Sequence, residues 1–167
     1  MLSENLTKQL NTQINHECFS VVLYTQMSAW CASKGYDGCA LFFRMQADEE
    51  KQHMEKLFVY VLETGGLPQL SEIAAPPSSW DSVRDLFQAT FDHEKSISAE
   101  ISALVEIALD EKDFSTFNFL QWYVSEQHEE EHRLKSILDR IDMITAEGHG
   151  LFTIDREVSR LTSSGNS

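Results

Sequence analysis

Apolar side chains recur along this chain at intervals of three and four residues, interrupted at only a few places. Leu6, Leu10, Ile14, Val21 and Tyr24 form one stripe and predict a helix over about 5–33. Phe43, Met54, Leu57 and Val61 predict a second over about 37–64. Val83, Phe87, Ile101 and Val105 mark a third over about 81–110. Leu120, Tyr123, Val124, Leu134, Leu138 and Ile141 mark a fourth over about 115–144. A short fifth is expected over about 152–162, and the closing TSSGNS reads as a loose tail. No window alternates with the period of a strand.

The three prolines all fall between residues 68 and 77, and glycines gather at 35–38, 65–66 and 148–150, so breakers stand where the stripes stop. Helices of ~28 residues reach ~42 Å at about 1.5 Å per residue. The links near 34–37 and 111–114 suit antiparallel neighbours, whereas the link near 65–80 can run the length of such a helix. The expected fold is all-α: a four-helix bundle with one long crossover between its second and third helices and a short C-terminal fifth. At 167 residues and 42% hydrophobic content, the chain fits one domain over 1–167.

Every stripe carries a polar intruder. With about 100° of turn per residue, Glu17 falls within about 40° of Leu6, Leu10, Val21 and Tyr24. Glu50 lies between Phe43, Met54, Leu57 and Val61, with His53 one step round the same face. Glu94 is centred among Val83, Phe87, Ile101 and Val105. On the fourth helix Gln127 is central, and Glu130 lies between Tyr123 and Ile137. The acidic octet SEQHEEEH (125–132) therefore divides. Gln127 and Glu130 face inward, Glu126 lies at the edge, and His128 and Glu129 project away.

A buried carboxylate without compensation costs several kcal/mol. One inward glutamate can be explained by a local salt bridge or by protonation. Four, on four helices whose stripes supply no inward Lys or Arg, point to a multiply charged cation. Glu50 and His53 form ExxH, an i, i+3 pair able to share a metal. Oxygen-rich ligands with a single imidazole suit iron or manganese better than structural zinc. His16, His93, His128 and His132 point off the stripes and read as surface residues. Met27, Met45 and Met54 read as filling for the core or an interface.

Charge narrows the partners. With 13 Lys and Arg against 27 Asp and Glu the formal charge is −14, which argues against nucleic acid and anionic membranes and favours cations. No apolar run approaches the ~20 residues of a membrane span, and MLSENLTKQL has no signal-peptide character. Cys18, Cys31 and Cys39 are odd in number and form no CxxC, which fits reduced thiols and a cytoplasmic location.

Over nearly its whole length the chain resembles the bacterial non-haem ferritins, on the stretches NHECFSVVLYTQMSAWC, FFRMQADEEKQHMEKLF and TFNFLQWYVSEQHEEEH. The resemblance implies a ferritin-like fold and a homo-oligomeric cage of 24 subunits. It further implies oxidation of Fe(II) by O2 or peroxide inside each bundle, and storage of a ferric oxo-hydroxide mineral. By position, Glu17, Glu50 and His53 resemble the ligands of the first of two irons. Glu94 and Glu130 resemble those of the second, with Glu50 bridging and Gln127 the nearby amide. Tyr24 and Trp122 match aromatics beside the pair. A third site is implied at Glu49, Glu126 and Glu129, with Glu130 shared. Periodicity alone leaves Glu126 and Glu129 open between an ion site and an exposed acidic face.

Lys51 stands where haem-binding relatives carry Met after the second-helix glutamate, so no haem is expected. The fourth helix carries Gln127 and Glu130 in the reverse sense of ExxH, which departs from rubrerythrin-like peroxidases. The expected function is ferroxidase and iron storage. Two rival readings are a diiron oxidase acting on an organic substrate or peroxide, and a non-enzymatic helical assembly protein. Bulky Phe43, Phe87 and Phe91 leave little room for an organic substrate. Assembly is also expected from apolar surface, with Trp30 and Tyr36 near helix ends.

Overall fold

The computed structural model describes residues 1–146 and 150–164. Its helices are α1 (Glu4–Ser33), α2 (Asp37–Glu63), α3 (Val83–Asp110), α4 (Phe114–Ala146) and α5 (Leu151–Ser164). Three of the starts carry side-chain caps that satisfy free amides of the first turn. Ser3 Oγ accepts from the Leu6 amide at 3.0 Å, and Ser82 Oγ from the Asp85 amide at 3.1 Å. Asp113 takes both the amide of Thr116, at 3.0 Å, and its hydroxyl, at 2.8 Å. α1 and α2 end on Gly35 (φ 80°) and Gly65 (φ 84°), the left-handed conformation that glycine adopts without a Cβ clash.

The start of α2 is capped from elsewhere. Tyr36 offers no side-chain cap. Instead the Asp155 carboxylate of α5 accepts from the amides of Gly38 at 3.0 Å and Cys39 at 2.8 Å, placing a negative charge at the positive end of the helix. A Cβ on Gly38 would sit 2.3 Å from the Asp155 carbonyl oxygen, so only glycine lets α5 approach this closely. α5 thereby lies on α2 and α4.

α1 packs along α2, and α3 along α4, with α1 also meeting α3. The crossover between α2 and α3 is pinned to α1 by two asparagines. Asn11 donates to the Leu67 carbonyl at 3.1 Å and accepts from the Gln69 amide at 2.7 Å. Asn15 donates to the Gln69 carbonyl at 2.8 Å and accepts from the Ser71 amide at 2.7 Å. Further along, Trp80 meets Trp30 edge-on at 5.7 Å. Trp30 is therefore buried inside the protomer, not exposed at a helix end as the sequence suggested.

The apolar core divides in two. Leu6, Leu10, Ile14, Leu57, Ile101 and Leu120 belong to one cluster; Tyr24, Phe43, Phe87, Leu134 and Ile141 belong to the other. Along the four long helices the inward Glu17, Glu50, His53, Glu94, Gln127 and Glu130 fall between the two. Two further readings are corrected. Val124 is 42% exposed and lies off the stripe, because one helical position beyond Tyr123 already faces outward. The expected tail is helical through Ser164, while residues 165–167 and the glycine at 148 lie outside the described residues.

Candidate metal centre

The polar layer has two halves, built by different helix pairs. α1 contributes Glu17, and α2 contributes Glu50 and His53 one turn apart. All three are buried, and one ligand atom from each lies within 4.8 Å of the others. Gln13 Nε2 donates to Glu17 Oε1 at 2.7 Å. No donor faces Glu17 Oε2 or Glu50 Oε1, and His53 Nδ1 is likewise without a hydrogen-bond partner. Glu50 Oε2 lies 3.4 Å from His53 Nδ1 without a hydrogen bond between them.

Burial, and next the Glu50 charge, hold the Glu17 carboxyl well above the usual carboxylate range. Burial, and next the Glu94 charge, do the same to Glu50. Without a metal, the pair can satisfy each other only by sharing a proton. A cation held by these three residues, whose ligand atoms already lie within 4.8 Å of one another, would replace that proton. The His53 ring is fixed edge-on to Trp122 at 5.3 Å, and Tyr123 donates its hydroxyl to the His53 carbonyl at 2.7 Å.

The other half is already engaged. Glu94, on α3, accepts from the Tyr24 hydroxyl at Oε1 and from Gln127 Nε2 at Oε2, the latter at 2.9 Å. Glu130, on α4, accepts from Gln46 Nε2 at 2.9 Å through Oε2, and its Oε1 lies 3.4 Å from Arg133 Nη1. Burial raises the Glu130 carboxyl to about 7, with the Glu49 and Glu94 charges adding to the rise and Arg133 opposing it. Tyr24 is held protonated by burial and the neighbouring Glu94 charge. It packs against Phe43 at 6.1 Å and edge-on to His93 at 5.9 Å.

Glu49 is half-buried and ion-paired to Arg133 at 3.0 Å. Glu126 is half-buried, and Glu129 is exposed. Among the described residues no second set of three metal-ligand side chains closes as Glu17, Glu50 and His53 do. So the structure gathers the first three, ties Glu94, Gln127 and Glu130 to protein partners, and leaves Glu126 and Glu129 outside.

Four polar residues escaped the sequence reading. Gln13 and Gln46 each precede an inward glutamate by four positions, the spacing of side-chain neighbours on a helix, so their placement was legible. Arg133 follows Glu130 by three and reaches back along its stem, which overturns the view that no Arg approaches the stripes. His93, read as a surface residue, is part-buried between Tyr24 and Phe19 with its Nε2 2.8 Å from Ser20 Oγ. Burial pushes its pKa down. His16 is half-buried and pairs with Glu100 at 2.6 Å, while His128 and His132 are exposed.

Comparison with known proteins agrees with this geometry. Residues 7–144 match the family model described as a ferritin-like domain. A probable bacterial non-heme ferritin-like protein of Haemophilus influenzae is 49% identical over 163 residues, covering 98% of this chain and 99% of that protein. The bacterial non-heme ferritin of Escherichia coli O157:H7 is 45% identical over 161 residues, covering 96% and 98%. Among solved structures, the Chlorobium tepidum ferritin superposes with a TM-score of 0.86 at 48% identity, covering 95% and 97%. The open pore ferritin of the archaeon Archaeoglobus fulgidus does so with a TM-score of 0.91 at 40% identity, covering 95% and 96%.

Proposed function

The chain belongs to the bacterial non-haem ferritins, and from that premise we propose that it binds two Fe(II) ions per subunit in the polar layer, oxidises them and stores the product. The observation that carries this reading is the convergence of Glu17, Glu50 and His53, buried residues with ligand atoms within 4.8 Å of one another, each with a side-chain atom that no hydrogen bond satisfies. In this reading they take the first ion. Glu94 and Glu130 take the second, with Glu50 shared between the two.

Binding is an exchange of protons for iron. The carboxyls of Glu17, Glu50 and Glu130, all held above their usual range, must ionise to serve as ligands. Glu94 must turn from Tyr24 and Gln127, and Glu130 from Gln46 and Arg133. Once ionised, the carboxylates favour the higher charge of Fe(III), because like-signed neighbours in a poorly solvated layer repel one another until a cation offsets them. Each Fe(II) gives up one electron and dioxygen accepts the pair. Gln127 and Tyr24 act as positioning residues that hold Glu94 between rounds.

Phe42, Phe43 and Phe87 fill the bundle beside the layer, with centroids 5.1–5.4 Å apart, which favours oxygen and iron over an organic substrate. The exposed Leu67, Leu70, Phe114, Met143 and Phe152 supply apolar surface for assembly into a closed cage of 24 copies. None of the described helices is long and apolar enough to cross a membrane. We place the protein in the cytoplasm, where Cys18, Cys31 and Cys39 remain free thiols. The outer acids Glu49, Glu126 and Glu129, with Glu130, form a third iron site on the path from the pair to the mineral.

The test is to titrate metal-free protein with Fe(II) under argon and then admit air. Two ions per subunit should bind and be oxidised in one fast phase. A protein that binds fewer than one, or whose fast phase survives Glu50→Ala, would overturn the reading.

A further inference from the structure

Arg133 occupies a place where its charge has a consequence. Its Nη1 donates to Gln46 Oε1 at 2.8 Å and to Glu49 Oε2 at 3.0 Å, and lies 3.4 Å from Glu130 Oε1. Gln46 closes the ring by donating to Glu130 Oε2 at 2.9 Å. One guanidinium nitrogen thus gathers two carboxylates of the outer acidic group, as a metal ion would, and Glu129 adds to the negative field around it. Unlike a metal ion it is tethered, and a guanidinium stays charged at every physiological pH.

The surroundings give it somewhere to go. Arg133 lines a narrow pocket of about 50 Å³ beside Phe42, Gln46 and Glu49. It also lines an open groove of about 450 Å³ beside His128, Glu129 and His132. Both share Ile137 and Leu161, so the side chain stands on the boundary between the buried layer and the groove. Rotation of its flexible stem into the groove would free Glu49 and Glu130 together.

We propose that Arg133 is a built-in competitor for the third iron site, holding Glu49 and Glu130 until an incoming cation displaces it. The inference rests on the third-site reading above and adds its control. With Arg133 in place, the outer acids have low affinity for a lone cation, and iron is drawn first to Glu17, Glu50 and His53. Arg133 is a positioning residue; it touches no iron.

The test measures binding, not turnover. Metal-free wild type, Arg133→Gln and Arg133→Lys are equilibrated with Fe(II) under argon, and ions bound per subunit are counted by dialysis. Each is repeated with Glu129→Ala. The proposal expects a third ion to bind Arg133→Gln about tenfold or more tightly than wild type, within the usual range of coupling between competing ligands. Arg133→Lys, which keeps the charge without the fork, should stay within a few-fold of wild type. In the Arg133→Gln background, Glu129→Ala should remove the gain.

Two outcomes overturn it differently. If wild type already binds the third ion as tightly as Arg133→Gln, and Glu129→Ala removes it from both, the third site stands and Arg133 does not control it. If no variant binds a third ion and Glu129→Ala changes nothing, the third-site reading falls and this inference with it. Circular dichroism and assembled mass, recorded on each variant, separate these outcomes from misfolding.

Discussion

The α1–α2 half of the polar layer and the α3–α4 half are each built around two buried glutamates and stand in opposite states. Glu17, Glu50 and His53 present three buried atoms that nothing in the protein satisfies. Glu94 and Glu130 have three of their four carboxylate oxygens hydrogen-bonded, by Tyr24, Gln127 and Gln46, and the fourth lies 3.4 Å from the Arg133 guanidinium. An unsatisfied buried polar atom costs about 1–3 kcal/mol, more when charged. The first half therefore stores a cost that an ion can relieve, and the second stores little. An arriving cation gains more in the first half, so the two sites are expected to fill in order.

The largest test of this contrast is to remove Glu50, the residue that serves both ions in the proposed reading. Glu50→Ala should abolish the fast phase, an effect beyond the ~10–100-fold that a residue one shell out from a metal commands. Stability should move the other way. Glu50→Leu in the metal-free protein removes a carboxyl that burial disfavours and that repels Glu94, and should gain on the order of 1–4 kcal/mol. Glu50→Ala should gain less, by ~1 kcal/mol, because it leaves a cavity. Thermal melts of the metal-free proteins check this. A Glu50→Leu protein that melts well below wild type would make Glu50 a structural partner and erase the contrast.

A second experiment makes the engaged half resemble the open one. Tyr24→Phe strips Glu94 Oε1 of its donor while keeping the ring that packs on Phe43 and His93. The metal-free protein should lose about 1–3 kcal/mol, the cost of an orphaned buried acceptor. The second Fe(II) should bind about 5–10-fold more tightly, since one hydrogen bond of ~1 kcal/mol no longer has to break first. Calorimetric titration with Fe(II) under argon reads both ions. If the second binds no more tightly, the Tyr24 bond does not restrain Glu94.

How much of this contrast could be read from the chain depends on the residue. The stripes place Glu17, Glu50, His53, Glu94, Gln127 and Glu130 inward, because a helix fixes direction by position alone. They could not show which would be satisfied, because that depends on contacts across helices: Tyr24 from α1 to α3, Gln127 from α4 to α3, Gln46 from α2 to α4. Arg133 was missed for a related reason. Its Cα lies off the stripe, and only its long stem carries the charge back to Glu130. The cap of α2 was equally hidden, since Asp155 lies 117 residues from Gly38 and no local signal connects them. Trp30 was misplaced because the stripe gave no sign that the crossover would bring Trp80 onto it.

A smaller effect is expected from pH. Burial raises Glu130 to about 7, above the ~4.3 of a free glutamate. The folded metal-free protein then holds a proton there that the unfolded chain releases between those values. Its stabilising contribution is complete below about pH 4 and is lost as pH rises through about 7. Melting temperatures of the metal-free protein should therefore fall between pH 6 and pH 8, and Glu130→Gln should flatten that fall. Fe(II) binding at pH 6 should release more protons than at pH 8, which buffer-dependent calorimetry reads directly. An equal release at both values would mean that Glu130 is already ionised in the metal-free layer.

The smallest effect on the first round of oxidation should come from Glu129→Ala. Glu129 is exposed and belongs to neither half of the layer. Its charge adds to the field around Arg133, and an exposed charge is weakened by water and salt. The first two irons should therefore be oxidised within about twofold of the wild-type rate. What should change is the sequel. Without Glu129 the outer acids lose a ligand, ions leave the pair more slowly, and the second and later additions of Fe(II) should lag several-fold behind wild type. Stopped-flow oxidation after one, two and three successive additions separates the phases. If Glu129→Ala abolished the first phase, the division between an inner layer and an outer face would be wrong. If all additions matched wild type, Glu129 would be a solvated surface charge and the third site would lose its outer ligand.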